Sequence, residues 1–297
     1  MTPCKKLSTK IATATCLALL LFAAGCTIRT GTDAPQRLSV MTYNIRIGAG
    51  GGEWPSDPSK INLQPVIDLL AAQNPDIAGL EEVDQFRKRS GLMDQPAVLR
   101  EGLKCNVAFA EAYSVPTGTA HEEKYGVALL AKDKLLPQAR FPLFKPDYSK
   151  SHPEYPDYFS EQRVLLYARV VVGGRQVHVF VTHLGLTQDQ RQEQIKQIAE
   201  ITARYHGPKL LMGDFNAEPT EPALQLLERD FQDVLTATRT SVEDRKSFPA
   251  GAKPRMAIDY ILASREFRVM SAKVIRDETL ASDHNPVMAD LELPPIK

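Results

Sequence analysis

Two imidazoles and a scattered set of hard oxygen donors are the side chains with chemistry to offer. Asn44 follows "VMTY", Glu82 follows "IAGLE", His183 follows "VFVT", and Asp214 and Asn216 stand in "GDFN" after the apolar "LLM". Further on, Asp259 lies in "AIDYIL", and Asp283 and His284 lie in "ASDHNPV". Taken singly, an Asp or Asn where a strand stops is most often a turn residue. As a set, their oxygens suit Mg²⁺ or Mn²⁺, and no Cys and His cluster of zinc spacing competes with them. The two histidines can hold or release a proton near neutral pH. Carboxylates crowded into one site repel one another unless a cation joins them. A divalent metal with two histidines fits hydrolysis of an anionic ester.

The elements that must position these groups are legible in the apolar pattern. "RLSVMTYNI" is β-branched and aromatic, so it reads as a strand feeding the Gly-rich loop "GAGGGEWPSDP". Lys60 to Gln73 has helical spacing and stops at Asn74 and Pro75; "DIAGLEEV" is a strand, and Leu92 to Leu103 reads as a helix. A β-rich middle follows in "VAFAEA", "YGVALLA", "RVLLYARVVV" and "RQVHVFVTHL", the last two joined by the hairpin signal Gly173 and Gly174. On the return strand Val177, Val179 and Val181 share one face, and His178, Phe180 and Thr182 the other. Thr187 with Gln190 has the form of a capping box opening a helix to about Tyr205. "KLLMGDF" is a strand, "EPALQLLER" a helix, and "MAIDYILAS", "EFRVMSAKVI" and "NPVMADLEL" are strands. Without a repeat or a low-complexity linker, this order predicts an α/β fold: two packed mixed β-sheets flanked by helices, a four-layer α/β/β/α sandwich.

The 297 residues can bury a sizeable core, and 43% hydrophobic with 24% charged residues is ordinary for a globular protein. Lys plus Arg and Asp plus Glu both number 36, so no overall field draws the chain to nucleic acid, which is a possible but not a favoured partner. A monomer is expected. At the N-terminus Lys5, Lys6 and Lys10 precede a short apolar run, the pattern of an export signal. Ala23, Ala24 and Gly25 before Cys26 resemble a bacterial lipobox, although Ala23 stands where Leu is usual. That resemblance implies a lipoprotein signal peptide over residues 1–25, a lipidated Cys26, a tether over residues 26–36 and a folded domain over residues 37–297. It places the protein in the bacterial cell envelope, anchored to a membrane and facing the periplasm or the exterior. Cys105 is then a lone thiol.

In this order, "TYNIR", "GLEEV", "YGVALLA", "VTHL", "GDFN", "IDYIL" and "SDHNPV" resemble the successive motifs of the endonuclease/exonuclease/phosphatase family of metal-dependent phosphoesterases. "GDFN" and "SDHNP" are the most specific of them, and the match runs from about Val40 to Leu293. The resemblance implies that Glu82 is the principal metal ligand, with Asn44 and Asp283 beside it. It implies that Asp214 and Asn216 hold the attacking water and the scissile phosphate, and that His284, oriented by Asp259, transfers a proton. His183 would hydrogen-bond a phosphate oxygen or assist the leaving group, with Glu123 as its orienting carboxylate. Arg163, in "SEQRVLL", either faces phosphate or is an exposed arginine at a strand start. Glu81 stands where many members have Gln, and strand alternation predicts that Glu81 and Glu82 point to opposite faces.

Three further features have two readings each. "GAGGG" lacks the Gly-Lys-Ser/Thr of a phosphate loop and is expected to be a flexible surface loop. "FRKRS" either contacts an anionic substrate or lipid headgroups or, as expected of a charge run, is a solvated basic face. Trp54 and the aromatics of "KPDYSKSHPEYPDYFS" either line a substrate mouth or anchor their loops. Together these features favour a membrane-tethered phosphoesterase acting on a small or lipid-derived phosphoester. An exported nuclease and a noncatalytic envelope lipoprotein are the alternatives.

Overall fold

In a computed structural model of the chain, residues 34–118, 121–149, 151–152, 154–155, 157–251 and 253–295 are described. The expected signal peptide and the expected lipidation site Cys26 lie outside them. In chain order the main elements are β1 (Gln36–Asn44), α1 (Gln64–Gln73), β2 (Ile77–Gln85), α2 (Gln95–Leu103), β3 (Asn106–Val115), β4 (Glu123–Ala131), β5 (Leu135–Pro142), β6 (Val164–Val172) and β7 (Arg175–His183). There follow α3 (Gln188–Thr202), β8 (Lys209–Asp214), α4 (Gln225–Glu228), β9 (Phe231–Asp233), α5 (Val234–Ala237), β10 (Asp259–Ser264), β11 (Arg268–Val274) and β12 (Val287–Leu293).

The strands form two six-stranded sheets, ordered β11-β12-β1-β2-β4-β3 and β5-β6-β7-β8-β10-β9. In each sheet one central pair is parallel, β1 with β2 and β7 with β8, and the other neighbours are antiparallel. Alternation along the strands sorts apolar side chains into three clusters. Val40, Val179, Val181 and Met212 fill the space between the sheets. Met41, Tyr43 and Leu80 pack outward against Val66 and Leu70 of α1 and Leu99 of α2. Phe180, Leu211 and Phe215 pack outward against Ile195 and Ile198 of α3. Three apolar interfaces make four layers, as expected from the sequence.

Local chemistry sets the helix ends. α1 begins at Gln64, later than its periodicity suggests, because the Asn62 side chain accepts from Gln64 N; it ends on left-handed Asn74 before Pro75. α2 begins after Asp94, whose carboxylate accepts from Ala97 N at 3.2 Å. The capping box expected at α3 does not form. The Thr187 hydroxyl instead meets the Tyr148 hydroxyl at 2.6 Å, and Gln190 is buried with its amide donating to Glu161 O. Tertiary partners have taken both side chains from the helix end. The Gly173 and Gly174 hairpin forms with φ of 55° and 82°, matching its signal. β5 carries too little apolar alternation to be read from sequence; it is an edge strand held by its pairing with β6.

Candidate active site

One end of the sandwich collects the chemistry. β1, β7 and β8 finish there with Asn44, His183 and Asp214, while β10, running antiparallel to β8, starts there with Asp259 paired to Asp214. β12 is antiparallel to β1, so Asp283 and His284, just before it, reach the same end.

The "GDFN" segment explains how a strand stops on polar groups without penalty. A Cβ on Gly213 would lie 1.8 Å from Thr182 O, so only glycine lets β8 approach β7 this closely. Phe215 is fully buried beside Tyr260, ring centroids 5.0 Å apart, and nails the turn to the outer core. Its neighbours therefore face the site. Asp214 accepts from Asn216 N at 2.9 Å, and Asn216 takes a left-handed φ of 50°.

Asn44 links the two sheets at this end. Its amide nitrogen donates to Glu82 at 3.1 Å and to Asp214 at 3.0 Å, while its oxygen accepts from Arg46 N at 3.0 Å. The side that Asn44 turns to Glu82 is thus its NH₂ group rather than a ligand oxygen. Glu82 has a φ of 56° where the β2 to β4 register slips by one residue between Leu80 and Val83. This bulge overturns the expectation that Glu81 and Glu82 face apart. Leu80 and Val83 both pack outward, and both carboxylates turn to the space between the sheets. Glu81 accepts from Thr42 Oγ1 at 3.1 Å, and its second oxygen is buried without a partner. Burial, reinforced by Asp259 and Asp214, holds Glu81 well above the ordinary carboxylate range. Burial also raises Glu82, against the Asn44 hydrogen bond.

Asp214 sits between the two histidines. His284 Nδ1 is 2.9 Å from Asp259, and its Nε2 is 3.7 Å from Asp214 Oδ2. His183 Nε2 lies 3.4 Å from the same oxygen and accepts from the Asn216 amide at 3.1 Å. Burial alone would pull both rings down. For His284 the Asp259 and Asp214 carboxylates outweigh it and lift the ring to about 10. His183, beside Arg163 and His284, stays well below the ordinary value and is neutral. Burial lifts Asp214 to about 7 against the opposing His284 charge. One ligand atom from each of Asp214, Asp259 and His284 lies within 4.8 Å of the others.

Arg163 is buried, paired with Glu161 at 3.2 Å, and its Nε and Nη1 have no partner, so it is not an exposed strand-start arginine. With Tyr125 and His183 it lines a small cavity. Glu123 does not orient His183. Its carboxylate is 3.7 Å from Arg87 Nε and 3.3 Å from Lys88 N, while His183 Nδ1 is unpartnered. The "FRKRS" arginines are correspondingly tied inward: Arg89 makes two 2.8 Å bonds to Asp84, and Arg87 bonds the Tyr113 hydroxyl at 2.6 Å.

Two contributors had no role in the sequence reading. Arg46, the last residue of "TYNIR", pairs with Asp283 at 3.1 Å and donates 2.7 Å bonds to the carbonyls of Gly50 and Gly52. Gly51 N donates to Leu280 O at 2.8 Å, so the Gly-rich loop is docked, in contrast to the flexible loop expected. Ser282 Oγ donates to Asn44 O at 2.6 Å and ties the "SDHN" segment to β1. Their places at the ends of "TYNIR" and "SDHNPV" were the local signal for both.

The donor chemistry fits a divalent cation. Glu82 and Asp283 offer hard oxygens, and Glu81 and Asp259 each keep a buried oxygen without a hydrogen-bond partner.

Comparison with known proteins identifies the family and the fold. A model of the "Endonuclease/Exonuclease/phosphatase family" matches residues 41–284. The Escherichia coli K12 protein YbhP is 30% identical over 139 residues, 45% of this chain and 54% of YbhP, so the chain spans about half the length of the curated relatives it matches. The crystal structure of an endonuclease/exonuclease/phosphatase from Beutenbergia cavernae aligns with a TM-score of 0.64 at 23% identity, covering 88% of this chain and 73% of that one. The Bacteroides thetaiotaomicron mannosyl-6-phosphatase Bt3783 aligns with a TM-score of 0.64 at 18% identity, covering 86% of this chain and 99% of that one. At these identities the structural likenesses carry the fold alone. By its matched model and its fold the chain belongs to the endonuclease/exonuclease/phosphatase family, whose enzymes are generally divalent-metal-dependent phosphoester hydrolases.

Proposed function

We propose that the protein is an exported, membrane-tethered, divalent-metal-dependent phosphoesterase that hydrolyses a phosphodiester or phosphomonoester of a small or lipid-derived substrate. The observation that carries the reading is Asp214, held by Asn44 and flanked by two histidines of opposite electrostatic setting. Glu82 and Asp283, with Asn44 beside them, would hold Mg²⁺ or Mn²⁺. Bound there, the cation supplies positive charge to the phosphoryl oxygen and the leaving alkoxide.

Asp214, poised near neutrality, takes the proton of the attacking water, while Asn216 fixes the aspartate through its backbone N–H. His284 is an imidazolium at neutral pH. Its Nδ1 is committed to Asp259, so its Nε2 proton serves the phosphoryl group or the leaving oxygen. His183 stays neutral. With Nε2 accepting from Asn216, its remaining proton is on Nδ1, free for a phosphate oxygen. The unpartnered Arg163 donors add charge for the same anion. Lipid at Cys26 would keep the protein in the cell envelope.

A hydrolysis panel tests this: a bis-aryl phosphate, phospholipids, inositol phosphates and supercoiled DNA, each with Mg²⁺ and each with Asp214→Ala as blank. Phospholipid headgroup or small phosphoester turnover, lost in the blank, supports the reading. Rapid DNA nicking lost in the blank would replace it with a nuclease, against the zero net charge. No Mg²⁺-dependent turnover of any kind would favour a noncatalytic lipoprotein.

A further inference from the structure

Trp54 is nearly half exposed, an unusual state for the largest apolar side chain, yet it is not free. Its ring lies over the Arg46 guanidinium, 5.4 Å from centroid to Cζ. Arg46 is itself immobilised by Asp283 and by the carbonyls of Gly50 and Gly52. The loop that carries the indole is docked through Gly51, whose added Cβ would meet Ser282 O at 2.7 Å. The indole is therefore one guanidinium away from Asp283, its ring over the arginine and nearly half of the residue open to solvent. On the segment the loop docks against, Leu280 is 39% exposed and its carbonyl accepts from Gly51 N, and the Phe248 ring centroid lies 4.7 Å from that of His284.

We infer that Trp54 is a specificity-determining residue that stacks on a ring carried by the phosphoester, so the preferred substrate has a sugar or base beside its phosphate. An indole seated over a pinned guanidinium has less rotamer freedom to lose on binding, and its flat face gains most against another ring. A ringless glycerol ester leaves it uncovered. The inference rests on the phosphoesterase reading for where the phosphate sits.

Trp54 is the only tryptophan in the chain, so indole emission reports on it alone. The full chain carrying Asp214→Ala, with Mg²⁺, is titrated with AMP, glucose 6-phosphate, glycerol 3-phosphate and inorganic phosphate. Either ringed ester is expected to change the emission saturably at concentrations about 10-fold lower than the ringless pair. AMP against glucose 6-phosphate then separates base from sugar. In the kinetic arm, a dinucleotide is compared with glycerophosphoglycerol, and glucose 6-phosphate with glycerol 3-phosphate. Trp54→Ala is expected to shrink the kcat/KM preference for the ringed member about 10-fold, mostly through KM, and Trp54→Phe to restore most of it. Equal emission responses to ringed and ringless esters, or an unchanged preference in Trp54→Ala, would overturn the inference. Should the wild type hydrolyse none of these esters, the phosphoesterase reading is decided by the wider hydrolysis panel, while the emission titration still decides the stacking.

Discussion

His284 and Asp259 form a hydrogen-bonded pair, Nδ1 to Oδ2 at 2.9 Å, that turns the other ring nitrogen toward Asp214. The pairing fixes both the tautomer and the charge of the imidazole. Asp259→Asn is expected to lower kcat at neutral pH by about 10²-fold or more with KM changed little, because proton transfer loses its oriented donor. Steady-state kinetics across pH provide the check, and the variant's profile should shift to lower pH as the ring loses its supporting charge. An unchanged kcat would remove His284 from proton transfer.

Arg163 has two buried donors without partners, whereas Glu123 is spent on Arg87 and Lys88 N. Arg163→Ala should cut kcat/KM by about 10²-fold, and Arg163→Lys should recover only part of that, since a point charge does not reproduce the fork. Glu123→Gln should stay within about threefold of the wild type. A large kinetic loss in Glu123→Gln would restore it as a partner of His183.

Stability should depend on pH and metal in a linked way. Glu81, Glu82 and Asp214 are raised in the folded protein, and His284 is raised from 6.5 to about 10. Each binds more protons folded than unfolded in its window, so each contribution is lost as pH rises. His183, lowered, has the opposite sign and acts only below its ordinary value of 6.5. Without metal, Tm should therefore fall between about pH 6.5 and 10 through the site groups. Mg²⁺ should raise Tm more at pH 8.5 than at pH 6, because protons and cation compete for the same oxygens. Thermal melts in EDTA and in Mg²⁺ test this, and a metal effect that shrinks with rising pH would contradict it.

Gly213→Ala sets a Cβ 1.8 Å from Thr182 O at a φ of 150°. The loss in urea unfolding should be about 3 kcal/mol or more. At Gly174, φ 82°, an added Cβ meets nothing within 4 Å, and Ala there should cost only about 1 kcal/mol. Equal losses at the two positions would show that strand approach is not what demands Gly213.

The sequence by itself determined ten of the twelve strands and their polar stops, leaving out the edge strands β5 and β9. Alternation along "RQVHVFVTHL" and the buried Phe215 between Asp214 and Asn216 are local patterns, with periods fixed by backbone geometry. The hairpin at Gly173 and Gly174 was legible for the same reason, and the four layers follow from strands and helices that each need an apolar partner. Tertiary structure decided what those patterns leave free. The slip of β2 against β4 put Glu81 and Glu82 on one side, because a bulge is a register event between strands. Asn44 meets Asp214 across 170 residues, Arg163 turns inward at the site, and Arg46 spans Asp283 and the docked loop. Thr187 and Glu123 lost their expected local roles to Tyr148 and Arg87. A side chain with several possible partners is assigned by which of them packing brings within reach, and that contact is absent until the two sheets close on each other.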